Sequence, residues 1–389
     1  HIPMIVAALR SYITNNDPSY YNLSENFWNL IQGRYRYATG GVGNGEMFRQ
    51  PYTQMLSMVM NGVSEGESNS NPYINETCCA YNLLKLTKEL NSFNPDDARY
   101  MDYYERTLYN QIVGSLNPKH YQTTYQYAVG LNASKPWGNE NPQSTCCGGT
   151  GSENHVKYQE ATYFVSDNSL WVALYMPTSL NWKEKGIKIQ QDCLWPAESS
   201  KITIVEGSGE FTMKLRVPYW ATEGFEVKVN GKSTGVKYQP CSYAVLSNKY
   251  WKKGDVVEVV MPFTKHIDYG ADKLPAEIAS KDGAKPESAW LGTLMYGPLV
   301  MTATDVTNWK EATLNIDSNL ATVTAGKPSA AEGSEGNLYT LFQGGHLFQP
   351  DYYRHDHSTH YFRINNVSDP TFELKRALSE KINELSAFS

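Results

Sequence analysis

Apolar positions recur at helical spacing over residues 1–160 and at strand spacing beyond them, so the chain changes character once along its length. In DPSYYNLSENFWNLIQGR, Asp17 is placed to cap a helix and Pro18 suits its first turn. Leu23, Phe27, Leu30 and Ile31 then fall on one face. A second helix is predicted from Glu76 to about Leu90 behind Asn75 as cap, and a third from Asp96 to about Leu116 behind Pro95. A short helix is expected near Ser152, and PTFELKRALSEKINEL near the end reads as a terminal helix. The opening HIPMIVAALRSYI reads as the interior of an apolar helix, so further helices are expected upstream of it.

After about residue 160 the period becomes two. ATYFVSDNSLWVALYMP, GIKIQQDC, SKITIVEGSGEFTMKLRVPYW, FEVKVNGKS and DVVEVVMPF alternate and are broken by turn residues such as Asn230-Gly231. This half is predicted to be an antiparallel β-sandwich. The expected division is 1–160, helical, and 161–389, sheet with a terminal helix. Between the helices run long polar loops rich in Gly and Asn, YATGGVGNGEMFRQPY and most of 117–150, and such loops inside a helical unit commonly carry function.

A net charge of -6 with only 34 Lys and Arg spread thinly over 389 residues argues against a nucleic-acid partner, which demands a clustered basic face. No apolar run approaches the roughly 20 residues that span a bilayer, so no membrane partner is expected. Aromatic residues make up 13% of the chain, 28 of them Tyr and 9 Trp, which suits flat platforms for sugar rings as well as core packing.

Four of the six cysteines form two vicinal pairs, Cys78-Cys79 in NETCCAYNLLKL and Cys146-Cys147 in QSTCCGGTGSENH. Disulfides between the pairs are one reading. Metal ligation is the other, because three thiolates and a carboxylate make a sensible tetrahedral set for zinc. Glu76 and Cys78 fall in the first turn of a predicted helix, where the positive end of the helix dipole favours anions. Gly148, Gly149 and Gly151 follow the second pair and leave room for close approach. Cys79 is one helical position, about 100°, from Cys78 and is read as packing. A full set of Glu76, Cys78, Cys146 and Cys147 leaves no open metal position, so any chemistry there requires one thiolate to be the reactive group. Glu46, at the end of the TGGVGNG loop, is placed as a general acid would be, or as a solvated loop residue.

These segments together resemble the glycoside hydrolases of families 127 and 146, the β-L-arabinofuranosidase group. The likeness runs through HIP at 1–3, TGGVGNGE ending at Glu46, ETCCAYNLLKLT from Glu76 and YYERTLYNQI from Tyr103, then STCCGGTGSENHVKY, LYMPTSLNWKEKGIKI and LMYGPLV. It implies an (α/α)6 barrel followed by β-sandwich domains, with the first part of the barrel missing here. It implies a zinc ion on Glu76, Cys78, Cys146 and Cys147, with Cys146 the nucleophile and Glu46 the acid/base. His1 matches a histidine that touches the sugar. The implied activity is retaining hydrolysis of plant cell-wall glycans. A related furanosidase or pyranosidase, and a zinc-stapled carbohydrate-binding fragment without turnover, are the alternatives.

Overall fold

A computed structural model describes residues 1–48, 51, 75–117, 119–120, 122–138, 145–270, 291–308, 311–316, 320–330, 336–354 and 356–365. The predicted terminal helix lies outside these residues.

The helical half begins with α1 (Ile2–Asn15) and α2 (Pro18–Arg34). Asp17 caps α2 as expected, its carboxylate accepting from the Ser19 N–H. The buried face of α2 departs from the expected one at Leu23: Trp28 and Ile31 are buried while Leu23 is half exposed. Trp28 turns the face, since its indole N–H reaches Thr87 inside the core and its ring stacks edge-on against Tyr100 and Tyr103.

α3 spans Thr77–Phe93 and α4 spans Ala98–Thr107, the latter capped by Asp97. Asn75 is not the cap of α3. Asn75–Glu76 form a short strand, β1, antiparallel to β2 (Gln126–Tyr127), and Glu76 occupies the cap position in extended conformation with its carboxylate turned elsewhere. Beyond α4 the chain continues as a π-helical turn over Leu108–Ile112 and a tight turn over Val113–Ser115, so the predicted third helix has its expected span but not a uniform winding. The short helix predicted near Ser152 is α5, Cys146–Asn154; it starts six residues earlier because Thr145 supplies the cap, accepting from the Gly148 N–H.

From residue 163 the chain is built of strands. One four-stranded sheet orders Ser242–Lys252, Ser208–Val217, Ser169–Val172 and Tyr163–Val165, and a six-stranded sheet runs from Lys232–Ser233 to Thr178–Trp182. Their buried faces meet, Trp182 of the larger sheet packing edge-on against Phe211 of the smaller. A third, eight-stranded sheet takes most of the remaining described strands. The pairing is not purely antiparallel: Ser208–Val217 runs parallel to Ser169–Val172, and Thr313–Asn315 parallel to Phe362–Asn365. The period-two reading holds in Ile187–Asp192 and Ser199–Glu206, whose inward and outward residues alternate. Asn230 and Gly231 both adopt left-handed backbone in the expected tight turn. Among the described residues, no helix is long and apolar enough to cross a membrane.

The helical and sheet parts are clamped by buried charge. Arg216 pairs with both Asp102 and Glu105 of α4, and Asp268 receives Arg36 and Arg106 at 3.1 Å each. Burial works against ionisation of Asp268, but the Arg106 and Arg36 guanidiniums overcome it and hold its carboxyl at about 2.

Candidate metal centre and active site

Two helix N-termini converge. Cys78 lies in the first turn of α3, Cys146 and Cys147 in the first turn of α5, and α3 packs on α5. Each helix end presents backbone N–H groups and the positive pole of its dipole to the thiols, a contribution of about 0.3–1 kcal/mol per anion. One such group is visible, the Cys78 N–H donating to Cys147 Sγ at 3.4 Å.

Glu76 completes the cluster because β1 and β2 hold it there. Glu76 is registered opposite Gln126, and the Thr77 N–H and hydroxyl bond to the Tyr125 and Thr124 carbonyls at 3.1 and 2.9 Å. Its Oε1 lies 2.9 Å from Cys78 Sγ, 3.3 Å from Cys146 Sγ and 3.9 Å from Cys147 Sγ. Cys78 and Cys146 sulfurs are 3.5 Å apart, and one ligand atom from each of the four residues lies within 4.8 Å of all the others. None of the six cysteines is in a disulfide, so the bridged reading of the two pairs gives way to convergence without a bond.

The donor set fits a tetrahedral thiophilic cation: four donors, three of them sulfur, at separations that bonds of about 2.0–2.3 Å to one centre would produce. With no counter-charge these acids oppose one another. The Cys78 thiol is pushed well above its usual range, first by hydrogen bonding with Cys147 and then by burial. Glu76, Cys78 and Cys147 are buried, whereas Cys146 is exposed.

That exposed sulfur opens on a cavity of about 230 Å³, whose wall includes His1, Glu46, Phe48, Cys78, Cys79 and Asn82. A larger cleft of about 510 Å³, between Cys193, Glu198, Glu258 and Tyr339, brings no comparable ligand set together among the described residues. Sequence places Glu46 and His1 at the site, and both are on the cavity wall, His1 as the cap residue of α1. Cys79 packs against the core as expected, and it also lines the cavity, with Sγ 3.3 Å from Glu76 Oε2.

The Glu46 loop is held from below. Gly40 has φ +93°, and a Cβ there would sit 2.0 Å from Thr107 Oγ1, so α4 passes too close for any other residue. The neighbouring Gly41 is similarly pressed by Asn75. The open space expected of the glycines after Cys147 is present at Gly149, while Gly151 packs against Thr123. Glu46 has φ 61°, uncommon for a residue with a side chain.

Two residues that sequence reasoning passed over touch Glu46. The Tyr125 hydroxyl donates to Glu46 Oε1 at 2.8 Å and lies 3.9 Å from Cys146 Sγ, and Gln126 Nε2 reaches the same carboxylate oxygen at 3.4 Å. Burial, then the bond to Glu46, pushes the Tyr125 phenol well above its ordinary value. TTYQYA carries no chemical signature of its own; only its strand pairing with Asn75-Glu76 brings it to the site.

Residues 1–160 match the family model described as β-L-arabinofuranosidase, GH127 catalytic domain, and residues 169–263 the GH127 middle domain, together well over half of the chain. Solved structures share the fold. A GH127 β-arabinofuranosidase superposes with TM-score 0.68 at 20% identity over 94% of this chain and 59% of its own. A structure described as a glycoside hydrolase gives 0.69 at 19% over 93% and 65%. A GH127 β-L-arabinofuranosidase from Geobacillus stearothermophilus T6 gives 0.66 at 19% over 94% and 60%. The chain therefore spans about three fifths of the length of these neighbours. A search of curated proteins finds no match.

Proposed function

The chain belongs to glycoside hydrolase family 127, the β-L-arabinofuranosidases, and from that premise we propose that it is a zinc-dependent retaining glycosidase acting on β-L-arabinofuranosides of plant cell-wall glycans. Its helices α1 to α5 are read as part of an (α/α)6 barrel within 1–160, and the sheets of 161–389 as β-sandwich domains. Glu76, Cys78, Cys146 and Cys147 would hold the zinc, which when bound supplies the positive charge that keeps the thiols ionised near neutral pH.

One observation carries the assignment of roles: of the four clustered residues only Cys146 is exposed, and it faces the cavity on whose wall Glu46 stands. Through Tyr125 the sulfur and the Glu46 oxygen lie within roughly 7 Å of each other, a span that admits the ~5–5.5 Å between the two groups of retaining glycosidases. In the first displacement the Cys146 thiolate attacks the anomeric carbon, the glycosidic bond breaks, and protonated Glu46 gives its proton to the leaving oxygen. A thioglycoside to Cys146 results. In the second, the Glu46 carboxylate takes a proton from water as that water attacks the same carbon, releasing the sugar with retained configuration and the sulfur as thiolate. His1 on the cavity wall is read as a sugar contact.

The test offers aryl glycosides of β-L-arabinofuranose and of other furanoses and pyranoses to the protein with and without zinc, beside Cys146→Ser, Glu46→Gln and Glu76→Ala. Turnover of the arabinofuranoside, lost in Cys146→Ser, is the expected result. Turnover surviving in Cys146→Ser removes the nucleophile assignment. Preference for another sugar supports a related furanosidase or pyranosidase, and no turnover of any sugar supports a binding fragment.

A further inference from the structure

Glu46 meets both of its described hydrogen-bond donors on one oxygen. The Tyr125 hydroxyl at 2.8 Å and Gln126 Nε2 at 3.4 Å both point at Oε1. The two donors are consecutive residues fixed to the metal-ligand strand, Tyr125 by its carbonyl to Thr77 and Gln126 by its register with Glu76. The backbone under Glu46 is set as well: left-handed at Gly45 and Glu46, with the Asn44 N–H closing the loop on the Met47 carbonyl at 2.9 Å. Loop and strand thus engage one oxygen of an otherwise exposed carboxyl group.

This arrangement distinguishes the two carboxyl oxygens. A phenol is protonated near neutral pH and donates its single hydrogen, while in a carboxylic acid the carbonyl oxygen accepts and the other oxygen carries the proton. We propose that Tyr125 is a positioning residue that fixes Glu46 with Oε1 as the accepting oxygen and Oε2 as the oxygen bearing the transferable proton, Gln126 adding a second donor to Oε1. This rests on the reading of Glu46 as the general acid. The same phenol stands 3.9 Å from Cys146 Sγ.

The consequence is confined to proton donation. In Tyr125→Phe the ring remains and the donor is lost, so kcat/KM should fall about 30–100-fold for an alkyl arabinofuranoside, whose departure requires protonation. For the 4-nitrophenyl arabinofuranoside, which leaves as a stable anion, the fall should stay within about threefold. Zinc content should equal that of the wild type. A crystal structure of the variant should show the Glu46 carboxyl turned from its original position. Gln126→Met, which keeps the shape without the donor, should show the same selective loss at a few-fold, and it carries the test should Tyr125→Phe not fold. Equal losses on both substrates, or a Glu46 carboxyl that stays in place in the variant, would overturn the proposal. The crystallographic comparison needs no turnover, so a wild type inactive on arabinofuranosides would defeat the functional reading while the position of Glu46 still decides this one.

Discussion

Gln111 and Asn75 exchange a reciprocal pair of amide hydrogen bonds, Gln111 Nε2 to Asn75 Oδ1 at 2.8 Å and Asn75 Nδ2 to Gln111 Oε1 at 3.2 Å. Thr39, in the loop that ends at Glu46, donates to the same Gln111 oxygen at 2.8 Å. A buried residue of the π-helical turn therefore ties the strand that carries Glu76 to the loop that carries Glu46. Gln111→Leu removes three bonds among groups that have no access to water. A loss of about 2–3 kcal/mol by urea denaturation is expected, with weaker retention of any metal held at the cluster because Asn75 precedes Glu76. An unchanged urea midpoint would show that the link is dispensable.

Glycine at two positions near the site should behave oppositely. Gly40→Ala forces a Cβ onto Thr107 in left-handed backbone and should destabilise by about 2–3 kcal/mol. Gly149, within α5, has nothing within 4 Å of an added Cβ, so Gly149→Ala should be neutral or stabilising by up to about 1 kcal/mol. Thermal melts of the two variants side by side decide this.

Acid should weaken the protein over two pH ranges. In the upper one the half-buried histidines His266 and His155 outweigh Asp102, whose carboxyl burial raises to about 6. His266 is half-buried, and its imidazole is pushed down to about 4, first by loss of solvent and then by Arg106. The folded chain thus refuses a proton that the unfolded chain takes near 6.5, and stability is lost as pH falls from about 6.5 toward 4. Asp268, held at about 2 by Arg106 and Arg36, contributes stability above about 4 that disappears as pH falls toward 2. Urea midpoints measured from pH 8 to pH 3 should decline throughout, and His266→Phe should flatten the upper part of the decline. Asp268→Asn leaves two arginines without their half-buried counter-charge and should cost about 2–3 kcal/mol at pH 7.

How much of this was legible in the sequence follows from where the signals are local. Asp17, Pro18 and the Asn230-Gly231 turn act within a few residues of themselves, and each formed as read. The Glu76, Cys78, Cys146 and Cys147 cluster was legible because rare residue types sat in two compact motifs. Tyr125 was not, since an aromatic residue in an alternating segment means nothing until its strand is paired. The buried face of α2 was read rightly at Phe27, Leu30 and Ile31 but not at Leu23, because Trp28 wins its place through Thr87, 59 residues away. Cys79 was assigned from helical angle alone, which ignores that Glu76 presents its second oxygen to that side.

The last expectation separates ligands from neighbours by metal content alone. If the cluster holds one zinc, Glu76→Ala, Cys78→Ser and Cys147→Ser each remove a donor from a closed set of four, and chelator-resistant zinc should fall from about one per chain to well below half. Cys79 sits beside the same carboxylate, and its thiol is pushed well above the usual range, first through its bond with Cys78 and then by burial. Its sulfur faces Glu76 Oε2, whereas the other three sulfurs gather around Oε1. A bond to Oε2 steadies the carboxylate without joining the ligand set, so Cys79→Ser should keep the full content at excess zinc and loosen it by about 10–100-fold, the range of groups that orient metal ligands. Zinc lost in Cys79→Ser and kept in Cys147→Ser would exchange the roles of the two residues and move the centre toward the cavity.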